Sequence, residues 1–386
     1  MGHEILIVAG EASADLHASR LVAELRARRP ELGFFGVGGK SLAQQGMQLS
    51  VKAERLNVVG IADWRDKVRE VLGAYRDLKQ EILRRRPQAA VLLDLPDFNL
   101  RLARFLKRQG IPVVYYISPQ VWAWRRYRVR TIRRYVDKML VVFPFEKKFY
   151  QERGVDVEFV GHPLLETLHS RAQTRPAAEV LAAPRIALLP GSRTSELRYH
   201  ASLLQGLARR LLERYPAAEI RIPVAPTLSA HAIAEAIPHP AITLVEGDSR
   251  ETLAWADCAV VASGTATLET ALVGTPFCLF YRLSRTTSWI VRHLVRYRRF
   301  FGMPNVLLGG EIAREFLQED ATPDALMQEC RWLIESAAYR EWMAAQLKSV
   351  RCVLGSEGAT ERAATQVLRT VDRQPQGEVS SVPSLA

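Results

Sequence analysis

The sequence predicts an α/β protein with two doubly wound, Rossmann-like domains facing an interdomain cleft. Three observations carry this. Short, near-continuous Val/Ile/Leu runs recur along the 386 residues, amphipathic stretches separate them, and the pattern runs twice around a polar, Ala/Pro-rich interval. Runs of this kind are strands covered on both faces, as in parallel sheets wrapped by helices.

In the first half the expected strands are Glu4–Ala9, Phe34–Val37, Ala90–Leu95, Val113–Ile117, Met139–Phe143 and Val157–Val160. In the second half they are Arg185–Leu189, Glu219–Val224, Ile242–Val245, Cys258–Ala262 and Pro276–Phe280. The expected organisation is a first domain over 1–168, a linker over 169–184 and a second domain over 185–334. Two C-terminal helices follow over 335–372, roughly Glu335–Leu354 and Gly358–Val371, with room to cross back to the first domain. The Gln/Pro/Ser-rich stretch 373–386 reads as a disordered tail.

Hydrophobic residues at 48% and charged residues at 24% are ordinary for a globular protein. No apolar run approaches the ~18 residues of a membrane span. The start, Met1–Gly10, lacks the cationic leader and cleavage site of a signal peptide, so a cytoplasmic location is expected. Cys258, Cys278, Cys330 and Cys352 show no Cys-x-x-Cys spacing and are expected to be buried, reduced thiols. The net charge of +12 calls for an anionic partner: nucleic acid, a lipid surface or a phosphorylated substrate.

Ligands of doubly wound sheets sit beyond the carboxyl ends of the strands, so the loops there hold the candidate chemistry. The first strand runs into Gly10-Glu11-Ala12-Ser13-Ala14-Asp15, not into Gly-x-Gly-x-x-Gly, which removes the main support for a nicotinamide cofactor. Gly36-Val37-Gly38-Gly39 is either a plain turn or a substrate loop. Asp94-Leu95-Pro96-Asp97-Phe98-Asn99 puts two carboxylates at a strand end. From position, Asp94 is either a general base or a structural cap, and Asp97 is placed to cap the next helix. Ser118-Pro119-Gln120-Val121-Trp122-Ala123-Trp124-Arg125 offers either core aromatics or an aromatic wall facing substrate.

In the second half, Pro190-Gly191-Ser192-Arg193 joins strand to helix. Backbone N–H groups at a helix start bind phosphate, and an arginine there can clamp it bidentately. Glu196 then falls in the first turn, where it complements the helix dipole. Ala262-Ser263-Gly264-Thr265-Ala266-Thr267-Leu268-Glu269 is a second strand-to-helix loop. Its small residues let a diphosphate approach, Ser263, Thr265 and Thr267 supply hydroxyls, and Glu269 can accept from ribose hydroxyls. Two such loops in one domain point to a nucleoside diphosphate. His162 reads as a structural histidine or as part of the cleft lining.

Together these residues resemble lipid-A-disaccharide synthase. The matching stretches are Gly10–Asp15, Asp94–Asn99, Tyr116–Arg125, Phe143–Tyr150, Phe159–Pro163, Leu188–Arg193, Ala262–Glu269 and Pro304-Asn305, spread over most of residues 5–320. The Ser118–Arg125 and Asp94–Asn99 runs are the most specific; the Ser263–Glu269 loop is shared widely among GT-B transferases. The resemblance implies the GT-B fold and transfer of 2,3-diacylglucosamine from its UDP donor to the 6-hydroxyl of 2,3-diacylglucosamine 1-phosphate. The products are UDP and the β-1,6-linked disaccharide 1-phosphate of lipid A. No metal and no cofactor are implied, and a homodimer is allowed. The resemblance makes Asp94 the general base of an inverting displacement. It makes Gly191, Ser192, Arg193, Ser263, Gly264, Thr265, Ala266, Thr267 and Glu269 the donor site. Gly10, Glu11, Ser13, Asp15, Ser118, Trp122 and Asn305 are expected on the acceptor side or in the cleft. The family has glycine where this chain has Ala14, a strained position if that residue needs positive φ.

The charge then has two locations. Arg125, Arg126, Arg128, Arg130, Arg133, Arg134 and Lys138 crowd one segment with Asp137 as its only acid. Residues 282–301 carry six arginines and no acid. There Ile290, Leu294, Tyr297 and Phe301 share one helical face, with Arg285, Arg292, Arg296 and Arg299 opposite. That helix is either a solvated surface element or a contact with an anionic membrane, which would hold the protein peripherally at the inner face of the cytoplasmic membrane. Other UDP-sugar enzymes of the fold, an epimerase or a transferase to a polyprenyl-linked acceptor, are the alternative. No nucleic-acid-binding module is recognisable, so no nucleic-acid partner is expected.

Overall fold

The computed structural model describes residues 3–56, 64–123, 125–167, 175–282 and 300–373. The strands of the first half are β1 (Glu4–Ala9), β2 (Gly33–Gly38), β3 (Gln48–Lys52), β4 (Ala89–Leu93), β5 (Val113–Tyr116), β6 (Lys138–Val141) and β7 (Val157–Phe159). They form one parallel sheet in the order β3-β2-β1-β4-β5-β6-β7. The strands of the second half are β8 (Arg185–Leu189), β9 (Glu219–Pro223), β10 (Ile242–Val245), β11 (Cys258–Ala262), β12 (Phe277–Tyr281) and β13 (Glu315–Leu317). They form a second parallel sheet, β10-β9-β8-β11-β12-β13. Each sheet reverses its winding direction beside its first strand, between β1 and β4 and between β8 and β11. A crevice opens at such a switch point because the flanking loops diverge to opposite faces.

Two strands escaped the sequence reading, and both are edges. β3 is mostly exposed or half-exposed, and β13 is three residues long, so neither shows the continuous apolar run of an inner strand. β4 and β5 also stop short of the expected ends. Asp94, Leu95 and Ile117 all have positive φ, which no strand continues through.

The helices of the first half are α1 (Ala12–Arg28), α2 (Lys40–Gln44), α3 (Trp64–Arg85), α4 (Pro96–Arg108), α5 (Arg128–Tyr135) and α6 (Pro144–Gln151). The alternation of β1 shows how they are layered. Ile5 and Ile7 face the cluster that includes Leu21 and Leu25 of α1, while Leu6 and Val8 face Leu78 of α3, Leu102 of α4 and Ile132 of α5. Around the second sheet lie α7 (Ala177–Ala182), α8 (Thr194–Arg214), α9 (Ala230–Ala236), α10 (Ser249–Trp255), α11 (Thr265–Val273), α12 (Met303–Leu308), α13 (Pro323–Glu335) and α14 (Ala337–Val353). The expected helix Glu335–Leu354 is α14, which begins two residues later, because the Ser336 hydroxyl accepts from Tyr339 N at 3.2 Å and starts it apart from α13, which ends at Glu335.

The last helix, α15 (Ala359–Asp372), lies on the first sheet beside α1. Arg362 donates to the Val160 carbonyl at 2.8 Å, and Glu166 accepts from both the amide and the hydroxyl of Thr360. Within the stretch expected as linker, α7 buries Val180 and packs on α13, while Arg175 pairs with the buried Asp257 at 2.7 Å. Residues 168–174 and 374–386 lie outside the described residues, as do 283–299 with Arg285, Arg292, Arg296 and Arg299. Of the four cysteines, Cys258, Cys278 and Cys330 are buried as expected. Cys352 is exposed, in the last turn of α14.

Candidate active site

Asp94 leaves β4 in a left-handed conformation (φ 52°), and Leu95 follows in the same region (φ 42°). Two consecutive non-glycine residues there cost on the order of 1–3 kcal/mol each unless their surroundings hold them. Asn99 does so, donating from Nδ2 to the carbonyls of Leu93 (2.9 Å) and Asp94 (2.7 Å), and the Tyr115 hydroxyl donates to the Asp94 carbonyl at 2.6 Å. Gly10, just past the end of β1, lies against this turn, because a Cβ at that position would collide with the Leu95 side chain. The turn therefore throws the Asp94 carboxyl off the sheet edge at the switch point. Among the described residues no hydrogen bond reaches that carboxyl, and the N-cap of α4 is Leu95 rather than Asp94. Loss of hydration raises its pKa to about 6; Glu11 pushes in the same direction and Arg193 opposes it.

Asp97 does not cap α4. Its carboxylate pairs with Arg128 and with Arg125 at 3.2 Å, tying the basic segment to the start of α4.

The loop after β8 faces this turn across the cleft. The Arg193 guanidinium reaches Glu11, at the start of α1, at 3.0 and 3.2 Å, and Glu196 on its own helix at 3.3 Å. Glu196 also accepts from the amides of Ser192 (2.9 Å) and Arg193 (3.3 Å). A carboxylate thus already fills the anion niche at the start of α8. Gly191 has φ 106° and lies so near Glu196 that a Cβ would strike the carboxylate. His200, missed by the sequence reading, steadies the loop from below. It contacts the Pro190 carbonyl through Nδ1 (2.7 Å), and Nε2 lies 3.4 Å from the Arg282 amide as acceptor.

The loop after β11 is more open. Gly264 is exposed and no side chain caps the start of α11, so its dipole and first amides face solvent. Ser263 and Ala266 are half-exposed and Thr265 is exposed. Thr267 is fully buried with its hydroxyl on the Gly264 carbonyl at 2.8 Å, so it shapes the turn and is withdrawn from a ligand. Glu269 faces Ser249 and Arg250; burial raises its pKa, and Arg250 offsets part of the rise.

Several residues expected in the cleft are structural. The buried Asp15 carboxylate accepts from the amides of Gly39 (2.6 Å), Ser41 (2.8 Å) and Leu42 (3.4 Å), closing the start of α2. Asn305, fully buried, donates to Ala313 O (2.6 Å) and Glu315 (2.8 Å) and accepts from the amides of Ile312 and Ala313. With its amide committed, it pins the loop before β13 instead of lining the cleft. Trp122 is 8% exposed and packs edge-on against Phe145 at 5.0 Å, as a core aromatic does. Ser118 is buried against the Tyr150 hydroxyl at 2.7 Å. Ser13 is half-exposed on the first turn of α1, and Ala14 is helical, so no positive φ strains it. His162 is buried with its Nδ1 accepting from Leu164 N at 3.2 Å, and burial lowers its pKa to about 3. Gly36 lies within β2 at φ 139°, against the Ile7 carbonyl, which makes it a packing glycine. Trp124 lies outside the described residues.

Comparison with known proteins gives a consistent result. The family model described as lipid-A-disaccharide synthetase matches residues 5–367. Lipid-A-disaccharide synthase of Myxococcus xanthus is 43% identical over 381 residues, covering 97% of this chain and 98% of its own. That of Koribacter versatilis is 41% identical over 384 residues, covering 96% and 99%. Among solved structures, the calicheamicin glycosyltransferase CalG4 aligns with TM-score 0.61 at 16% identity, covering 96% of this chain and 99% of its own. The Neisseria meningitidis UDP-GlcNAc 2-epimerase bound to UDP-GlcNAc aligns with TM-score 0.62 at 12% identity, covering 95% and 100%. These structural likenesses show the GT-B fold.

Proposed function

Because the chain belongs to the lipid-A-disaccharide synthetase family, and so is a glycosyltransferase of lipid A biosynthesis, we propose that it runs one inverting displacement in the cleft. The acceptor 6-hydroxyl of 2,3-diacylglucosamine 1-phosphate attacks the anomeric carbon of UDP-2,3-diacylglucosamine. Asp94 takes the hydroxyl proton as the new C–O bond forms. The bond to UDP breaks, and its charge is taken up by Arg193 and the uncapped start of α11. Glu269 is the ribose ligand, and the Ser263–Ala266 loop cradles the diphosphate.

The observation that carries this reading is the Asp94 carboxyl, which accepts no hydrogen bond among the described residues at the first switch point, with Arg193 of the second within its electrostatic reach. A base needs a pKa just below the working pH, and a value of about 6 meets that need.

Glu196 sharpens the role of Arg193. The amides of Ser192 and Arg193 already have a carboxylate, so at this loop the guanidinium is the group that meets phosphate. The start of α11 supplies the open amides.

The partners in this reading are the UDP-diacylglucosamine donor, the diacylated acceptor and an anionic membrane surface at the cytoplasmic face, met through the 285–299 arginines. Among the described residues no helix is long and apolar enough to cross a membrane. Mass spectrometry of products after mixing protein, UDP-diacylglucosamine and phosphorylated acceptor tests the reaction. A disaccharide 1-phosphate with equimolar UDP is expected. Turnover of the donor alone to an epimer would replace this reading with the epimerase one.

A further inference from the structure

Arg250 stands in the first turn of α10, where a cation opposes the helix dipole instead of complementing it. Its neighbours show how it is held there. Asp248, the N-cap, accepts from the Arg250 amide at 3.0 Å and pairs with Nε at 3.0 Å. The guanidinium then reaches out of the second domain, and Nη1 donates to the Thr167 carbonyl at 2.8 Å. Thr167 follows the short helical turn Pro163–Glu166, and Glu166 is itself fixed by Thr360 of α15. Arg20 of α1 approaches the same junction, within electrostatic reach of Arg250 and Glu166. Arg250 also faces Glu269, because α10 packs on α11.

We propose that Arg250 is a positioning residue of the donor site: anchored on the Thr167 carbonyl, it holds the Glu269 carboxylate in place to accept from the ribose hydroxyls of the donor. The assignment rests on Glu269 as the ribose ligand in the reading above. An ionised carboxylate accepts from both hydroxyls of a vicinal diol, whereas the protonated acid turns one oxygen into a donor. Burial drives Glu269 toward the acid, and the Asp248 carboxylate drives it the same way. Arg250 is the cation that opposes both, and Ser249 adds a hydrogen bond. Arginine suits this task. Its planar fork meets Asp248 through Nε and the Thr167 carbonyl through Nη1 at once, so the charge beside Glu269 is fixed from both domains. A lysine carries the charge without the fork.

Calorimetry on the full chain with UDP and with 2′-deoxyuridine 5′-diphosphate tests this, because the ratio of the two affinities isolates the ribose contact from the phosphates. Wild type should prefer UDP by about tenfold, the worth of one charge-assisted hydrogen bond. Arg250→Met should cut that ratio by about threefold or more at pH 7, with the deoxy ligand binding as it does to wild type. The pH below which the ratio collapses should also rise in this variant, since removing a cation favours the protonated carboxyl. Arg250→Lys keeps the charge, so its collapse should stay near the wild-type pH while the ratio still falls. Equal losses for both ligands in the two variants mean a purely structural arginine and overturn the proposal, as does an unchanged ratio in Arg250→Met. Glu269→Gln separates this from the reading beneath it. A wild-type ratio in Glu269→Gln overturns Glu269 as ribose ligand. A ratio lost in Glu269→Gln but kept in Arg250→Met overturns the role of Arg250 alone.

Discussion

Arg193 and Glu11, 182 residues apart in the chain, form an ion pair across the cleft at 3.0 Å. Both side chains are substantially solvated, so the pair is worth only about 0–1 kcal/mol. In the proposed reaction the donor diphosphate offers the guanidinium a stronger, bidentate partner, and the exchange costs little. Asp94 senses both members, Glu11 raising its pKa and Arg193 lowering it. In the proposed reaction the pair therefore couples donor binding to the basicity of Asp94.

Asp94→Asn should cut turnover by about 10²–10⁴-fold, the usual worth of a general base, while UDP binds as before. Initial rates and calorimetry with UDP check the two halves separately. A rate within tenfold of wild type removes Asp94 from that role.

The pH profile carries signs. A base acts ionised, so kcat/KM should rise with pH through about 6 and level off above it. Glu11→Gln removes a repelling charge and should move this limb to lower pH. Arg193→Ala removes an attracting one and should move it higher, with UDP affinity falling about 10- to 100-fold from loss of a charge-assisted contact. Shifts in the same direction in both variants contradict the arrangement.

Asp15 lies in a matching stretch but serves the scaffold. Asp15→Asn weakens three amide contacts to a buried carboxylate and should lower stability by about 2 kcal/mol in urea unfolding, with UDP affinity unchanged. Weakened UDP binding at full stability would return Asp15 to the site.

Glu146 is buried behind Ser118, and loss of hydration raises its pKa from 4.5 to about 8. Between those values the folded state holds a proton that the unfolded state releases, so this group makes stability fall as pH rises. Glu146→Gln cannot titrate. Its melting temperature minus that of wild type should increase from pH 5 to pH 8, as thermal melts across that range would show. A constant difference would mean that the carboxyl titrates alike in both states.

The sequence by itself determined the two-sheet α/β architecture and the loops where ligands bind. Unbroken apolar runs such as Ala89–Leu93 and Cys258–Ala262, recurring between amphipathic stretches, are the pattern of covered parallel sheets, and a loop after such a strand lies at the sheet's carboxyl edge wherever the sheet sits in space. Those are local rules, readable from neighbours in the chain. It placed Asp94 and Arg193 at two such edges for the same reason. What only the tertiary structure decided is how each polar side chain is used. Asp15 and Glu11 stand four residues apart in one motif, yet one caps α2 and the other meets Arg193. Thr267 and Thr265 share one loop, yet one hydroxyl is spent on Gly264 and the other side chain stays exposed. Asn305 falls in a matched stretch and is consumed by the loop before β13. A side chain's partner is set by the crossing of elements far apart in sequence, and a buried polar group must find its hydrogen bonds there or not be buried at all.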